Sequence, residues 1–194
     1  IEELIKPRNR IEINIEVDEG QSAKIKKIII IGNETYTDDE LLDSFELSEG
    51  SFFSFLSSNN QYSREKLVGD IETLESYYRD RGFLKFSIES SQVSLSRNKK
   101  SIFITYNINE GEKYTINNAS VIGEIPFEEE IYIDIIDSLK DQTYSQAQIT
   151  GIEDFFINVL GNRGYAFAEV SGDAEVIDDT NQVKLTFSIV PGNK

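Results

Sequence analysis

The carboxylates are the first candidates for side-chain chemistry in this chain. It carries 35 Asp and Glu residues but no His and no Cys, so a thiol nucleophile, a Ser-His-Asp triad, a disulfide and an ordinary zinc site are all out of reach. The acids do not fall into a catalytic or metal-binding pattern either. Glu124 and the run Glu128-Glu129-Glu130 lack the ligand spacing of a calcium loop. They read as the acid-rich start of a helix, where carboxylates sit well against the helix dipole. Asp178-Asp179 reads as part of a hairpin turn, where Asp bonds its own backbone. A carboxylate pair for glycoside cleavage needs a cleft around it, and no segment signals one. No cofactor, no metal ion and no enzymatic activity is therefore expected.

Composition narrows the class further. With 194 residues, 39% apolar and 28% charged, the chain is globular and long enough for one large domain or two small ones. Its net charge of −16 repels phosphate backbones and anionic head groups, which argues against a nucleic-acid partner and against direct membrane insertion. Apolar runs such as Ile28 to Ile31 fall far short of the roughly 18 residues that a membrane helix requires. The chain opens on Ile1 with no signal sequence, and the expectation is a piece of a longer protein.

The elements that must position any site repeat along the chain. Ile31-Gly32-Asn33 is echoed by Ile122-Gly123-Glu124, 91 residues later. Val17-Asp18-Glu19-Gly20, Ile108-Asn109-Glu110-Gly111 and Ile189-Val190-Pro191-Gly192 mark three strand ends. Tyr62-Ser63 matches Tyr144-Ser145, and Asp80-Arg81-Gly82-Phe83 matches Asn162-Arg163-Gly164-Tyr165, both at a separation of 82. The expected organisation is a truncated unit over 1–20, a full unit over 21–111 and another over 112–194.

Each full unit reads β-α-α-β-β. In the first, Lys24 to Ile31 is a β-branched strand ended by Gly32-Asn33. Thr37 and Glu40 form a capping box for a short helix with Leu41, Leu42 and Phe45 on its apolar side. The segment 51–60, with Phe52, Phe53 and Phe55, reads as a loop whose aromatics anchor it. Ser63 caps a longer helix with Leu67, Ile71, Leu74 and Tyr78 on its buried face, and Gly82 closes it. Strands follow at Leu84 to Ser96 and Ser101 to Asn109, around the turn 97–100. The second unit repeats this order: a strand from Thr115 to Ile122, a helix around Glu128 to Leu139, and a helix opened by the Ser145/Gln148 capping box with Ile149, Ile152, Phe156 and Leu160 buried. Strands at Tyr165 to Ile177 and Gln182 to Val190 end it. Residues 1–20 read as the closing hairpin of a truncated unit and as the least ordered part, because a lone hairpin is marginal in water.

These residues carry a family resemblance. Units of this order and size, joined end to end at Glu-Gly, resemble POTRA domains (polypeptide-transport-associated domains) of the Omp85 family. The run Gly69-Asp70-Ile71-Glu72-Thr73-Leu74-Glu75-Ser76-Tyr77-Tyr78-Arg79-Asp80-Arg81-Gly82-Phe83, with Gln92-Val93-Ser94-Leu95 and Asn107-Ile108-Asn109-Glu110-Gly111, resembles the third such domain of an outer-membrane assembly protein. Gly161-Asn162-Arg163-Gly164-Tyr165-Ala166 resembles the fourth, and residues 1–20 correspond to the end of the second. The resemblance implies an α+β fold of tandem POTRA domains, each with two helices packed on a three-stranded mixed sheet. It implies a non-enzymatic periplasmic scaffold of a Gram-negative outer-membrane protein, in a chain with neighbouring POTRA domains and a membrane barrel.

One strand is irregular. In Leu84 to Ser96, Phe86 and Ile88 hold even positions whereas Val93 and Leu95 hold odd ones, like Lys85 and Glu89. A strand alternates with period two, so both pairs cannot face the core in one register. Either a bulge near Ser90-Ser91 flips the strand, or Val93 and Leu95 point outward beside Lys85 and Glu89. The resemblance implies that this strand docks an accessory propeller lipoprotein through Lys85, Glu89, Val93 and Leu95, where the family has Arg at the first position and Asp at the second. Unfolded outer-membrane proteins in transit are a further implied partner, taken up by edge-strand β-augmentation. A translocation protein of the same family with an inner-membrane partner, and an adhesive tandem domain of a secreted protein, are the alternative readings.

Overall fold

The computed structural model describes residues 23–49, 61–177 and 179–194. The expected hairpin of residues 1–20, the Phe52, Phe53 and Phe55 loop, and Asp178 lie outside the described residues.

Two units of the same construction follow one another. The first runs β1 (Lys24–Ile31), α1 (Asp38–Leu42), α2 (Arg64–Arg79), β2 (Ser87–Leu95) and β3 (Ser101–Asn109). The second runs β4 (Thr115–Gly123), α3 (Ile133–Ser138), α4 (Gln146–Gly161), β5 (Glu169–Ile177) and β6 (Gln182–Val190). In each sheet the last strand is central, with orders β1-β3-β2 and β4-β6-β5. It pairs in parallel with the first strand and antiparallel with the middle one, which makes both sheets mixed. The fold is the α+β arrangement that the sequence implied.

The helices form where the caps stand. Thr37 and Glu40 make both bonds of the capping box at α1, and Ser63 accepts the N–H of Lys66 at α2. At α4, Ser145 accepts the N–H of Gln148. Leu67, Leu74 and Tyr78 are buried against Ile104, Tyr106 and Ile108 of β3 in one core. Ile149, Ile152, Phe156 and Leu160 are buried against Val183, Leu185 and Phe187 of β6 in the other.

The Ile-Gly repeat has a steric origin. Gly32 and Gly123 have φ of +99° and +102°, and a Cβ at either would sit 2.2 Å from the Ile108 or Ile189 carbonyl oxygen. A side chain fits neither the space nor the backbone conformation.

Three expectations need correction. The expected helix over Glu128 to Leu139 is a 3-10 turn (Glu129–Ile131) followed by α3. The break falls at Tyr132, whose φ of −129° is not helical, and it lets Phe127 and Tyr132 both pack on Phe156. The strand expected from Leu84 begins at Ser87, because Phe83 and Phe86 are both buried and the chain turns between them, the Phe86 N–H donating to the Phe83 carbonyl. The strand expected from Tyr165 likewise begins at Glu169.

Candidate functional site

A three-stranded sheet leaves two edges, so the two units present four: β1, β2, β4 and β5. An uncovered edge offers unpaired N–H and C=O groups to another strand. Three of the four carry cover. On β1 the Ile28 N–H donates to Glu49 Oε1 at 3.0 Å, and Lys24 bridges Gln61. On β4 the Ile116 N–H donates to the Gln142 carbonyl and the Asp141 N–H to the Ile116 carbonyl, both at 2.8 Å. On β5 the Gly172 N–H donates to Glu153 Oε1 at 2.6 Å. Among the described residues no such bond covers β2.

The parity break in β2 has a definite structure. Pairing with β3 slips between Ile88 and Ser90, so the bulge falls on Glu89, slightly ahead of the Ser90-Ser91 position expected. Past it, Val93 stands opposite Ile104 and Leu95 opposite Ile102. Residues directly opposite in an antiparallel pair share a face, so the bulge turns Val93 and Leu95 to the core-facing side. They are nevertheless 41% and 53% exposed. Both expected alternatives are thus half realised: the strand flips, and its apolar pair stays in solvent.

The second unit shows why. The residues opposite Leu185 and Val183, the counterparts of Ile104 and Ile102, are Ala174 and Val176, and both pack on the second core. The strand β5 runs without a bulge, and Gly172 lets α4 settle on it: a Cβ there would come within 2.5 Å of Ile149 Cγ2. In the first unit the residue opposite Tyr106 is Ser91, and the helix position matching Glu153 is Ile71, which has no oxygen to offer the edge.

The four expected site residues lie along β2 and the turn before it. Val93 and Leu95 share one face of the far half of β2. Glu89 lines a groove of about 400 Å³ with Glu34, Glu110 and Glu112, an acidic pocket beside the bulge. Lys85 lies in the turn before the strand, and its ammonium is 5.5 Å from the centre of the Tyr114 ring, in the second unit.

Two buried acids were not singled out in the sequence. Glu110 accepts from the Glu34 and Thr35 N–H groups, from Thr35 Oγ1 at 2.6 Å and from the Tyr78 hydroxyl at 2.8 Å. Burial by itself raises this carboxyl, but the bonds from Thr35, Tyr78 and Glu34 outweigh it and hold Glu110 below the ordinary glutamate value. They tie the end of β3 to the turn after β1 and to α2. Asp70 accepts the Glu46 and Leu47 N–H groups, yet burial leaves its carboxyl above the ordinary aspartate value. Its place between Leu67 and Leu74 on the apolar stripe was the available signal. Among the described residues, no group of His, Cys, Asp and Glu is arranged to hold a metal ion.

Two β-α-α-β-β units, each with its last strand at the centre of a three-stranded mixed sheet, define the class of fold to which the chain belongs. Residues 23–111 and 114–192 each match the POTRA family model, described as surface antigen variable number repeat, and the chain belongs to that family. It is 29% identical over 96% of its length to the outer membrane protein assembly factor BamA of Neisseria meningitidis serogroup B, and 26% identical over 96% to BamA of Buchnera aphidicola. The chain spans only 24% and 30% of those two relatives. Its fold matches Haemophilus influenzae BamA POTRA3-5 with a TM-score of 0.75 at 23% identity, covering 88% of this chain and 67% of that one.

Proposed function

We propose that this chain is a periplasmic, non-enzymatic scaffold segment of a BamA-like protein in a Gram-negative outer membrane, and that it docks an accessory lipoprotein of the BamB-like propeller type along β2. The observation that carries the reading is the contrast between the edges. Glu49, the 141–143 segment and Glu153 cover β1, β4 and β5, whereas β2 ends in exposed Val93 and Leu95. An added strand would gain main-chain bonds from β2 and apolar contact from that pair. Glu89 and its acidic groove would favour a basic residue on the partner, while Lys85, resting on Tyr114, serves the rim. The same edge would receive an unfolded outer-membrane protein in transit, and neighbouring POTRA domains and the membrane barrel of the longer chain complete the assembly.

The test is a binding titration of the lipoprotein against wild type and Val93→Glu plus Leu95→Glu, with circular dichroism alongside. Both residues are exposed, so the double variant keeps its melting curve. Its affinity is expected to fall at least tenfold, about 1.4 kcal/mol. Unchanged affinity in the folded variant removes β2 as the docking edge.

A further inference from the structure

One corner of the first sheet reverses the charge of the chain. β1 opens with Lys24, Lys26 and Lys27, and the turn between β2 and β3 carries Arg97, Lys99 and Lys100. The fold brings the two segments together: Lys24 stands opposite Ser101, and its N–H donates to the Lys100 carbonyl at 3.1 Å. Lys26 falls in the bulge where the β1–β3 register shifts. All six cations are exposed. They belong to a chain with only 19 Lys and Arg residues and a net charge of −16, yet residues 23–31 and 95–104 hold no acid. Among the described residues none of the six forms an ion pair, and Glu49, the carboxylate beside β1, accepts the Ile28 N–H.

The second unit builds the same corner without a cation. Thr115 stands opposite Gln182 as Lys24 does opposite Ser101, and its N–H donates to the Asn181 carbonyl, again at 3.1 Å. Asn117 falls in the matching bulge, Asn118 follows it, and the turn reads Asp178-Asp179-Thr180-Asn181. The fold therefore does not require the lysines. Nor does the turn: Lys99 has a φ of +57°, a left-handed conformation that Asn and Asp adopt more readily, and the second unit places Asp179 and Asn181 in it. Lys on an edge strand also keeps other strands away. However, Glu49 and Gln61 already cover β1, and Arg97, Lys99 and Lys100 lie in the turn, off that edge. Like charges held this close repel one another, so the corner gains stability when an anionic partner neutralises it.

We propose that this corner binds an acidic segment of a partner protein, whose carboxylates lie across Lys24, Lys27 and the 97–100 turn. Charge complementarity selects the class of partner, and the charge of the rest of the chain selects a segment over a surface. An anionic bilayer would face the corner and its acidic surroundings together. A short segment stays within the roughly 8–10 Å over which charges act at physiological salt, and meets the cations alone. Side chains carry the contact, so it is separate from strand addition along β2 and does not depend on it.

The test titrates the 194-residue chain with a fluorescein-labelled octaglutamate peptide and, separately, with vesicles of phosphatidylglycerol and phosphatidylcholine. Two variants carry the same change in net charge: Lys24→Gln, Lys27→Gln and Lys100→Gln in the corner, and Lys140→Gln, Lys184→Gln and Lys194→Gln elsewhere. The corner variant is expected to bind the peptide about tenfold more weakly than wild type, the sum of three exposed ion pairs. Its binding should also depend less on salt, and it should melt no lower than wild type because repulsion is relieved. The control variant keeps the wild-type affinity. Equal losses in both variants would make the effect one of net charge alone and overturn the proposal. Binding to vesicles that needs the corner, without binding to the peptide, would overturn it in favour of a membrane. Self-association of the corner variant with its peptide affinity unchanged would leave the lysines as guards of the β1 edge, and overturns it as well.

Discussion

Glu110 shows how one carboxylate ties a unit together. Its bonds to Thr35, Tyr78 and Glu34 join three elements, and the second unit reaches the same end with apolar residues, Pro191 standing for Glu110 and Leu160 for Tyr78. Because the folded state holds the Glu110 carboxyl below its ordinary 4.5, its stabilisation is fully present above that value and is lost as pH falls through the lowered one. Asp70 has the opposite sign: its carboxyl lies above the ordinary 3.8, so protonation favours the fold and offsets part of that loss. Glu110→Gln keeps the size, removes the charge and places an NH2 among donors. We expect it to cost about 1.5–3 kcal/mol at neutral pH and to flatten the acid limb of stability below pH 4.5. Urea melts of both proteins from neutral to acid pH measure this, and parallel acid limbs would exclude the assigned role.

At the scale of elements, Gly172 and Glu153 decide how α4 lies on β5. Gly172→Ala brings a Cβ within 2.5 Å of Ile149 Cγ2 and 3.0 Å of the Phe187 ring, and the overpacking is expected to destabilise the protein by about 1–3 kcal/mol. Glu153→Ala acts more gently. It frees the Gly172 N–H, so amide exchange at Gly172 accelerates while the β6 amides of the ladder stay protected; unchanged exchange at Gly172 would mean that Glu153 does not guard the edge. The apolar stripes, the caps and the unit order were legible in the sequence because each rests on local spacing: Thr37 with Glu40, or Ile149 with Ile152, Phe156 and Leu160. The parity of Val93 and Leu95 was legible as a conflict. Its outcome was not, since whether a core-facing residue is covered depends on how closely a distant helix approaches the strand. The edge guards Glu49 and Glu153 were illegible for the same reason: each bonds a backbone 19 or 21 residues away. Similarly, nothing local warned that Lys85 precedes the strand instead of lying in it.

On the scale of the whole chain, an acid stands at the C-terminal end of α2, where its own helix dipole disfavours it. Asp80 makes sense only through the neighbouring unit: it accepts the Ala147 N–H at the start of α4, where that helix's dipole favours a carboxylate. The junction is therefore specified by a charge that one unit places badly and the next places well. Two further ties flank it, the Tyr114 N–H on the Gly82 carbonyl and Lys85 over Tyr114, and the connection between β3 and β4 leaves little slack. Asp80→Ala removes a tie whose loss leaves both cores untouched. Because Ser145 still caps α4, stability should fall only by about 0.5–1 kcal/mol. Orientation should respond more than stability. Residual dipolar couplings from the two units, which fit one alignment tensor in the wild type, should require two in Asp80→Ala. Asp80→Asn retains an oxygen acceptor, the group found at Asn162, and should hold one tensor. If Asp80→Ala also keeps a single tensor, the Gly82 and Lys85 contacts fix the angle without it, and the carboxylate serves α4 alone.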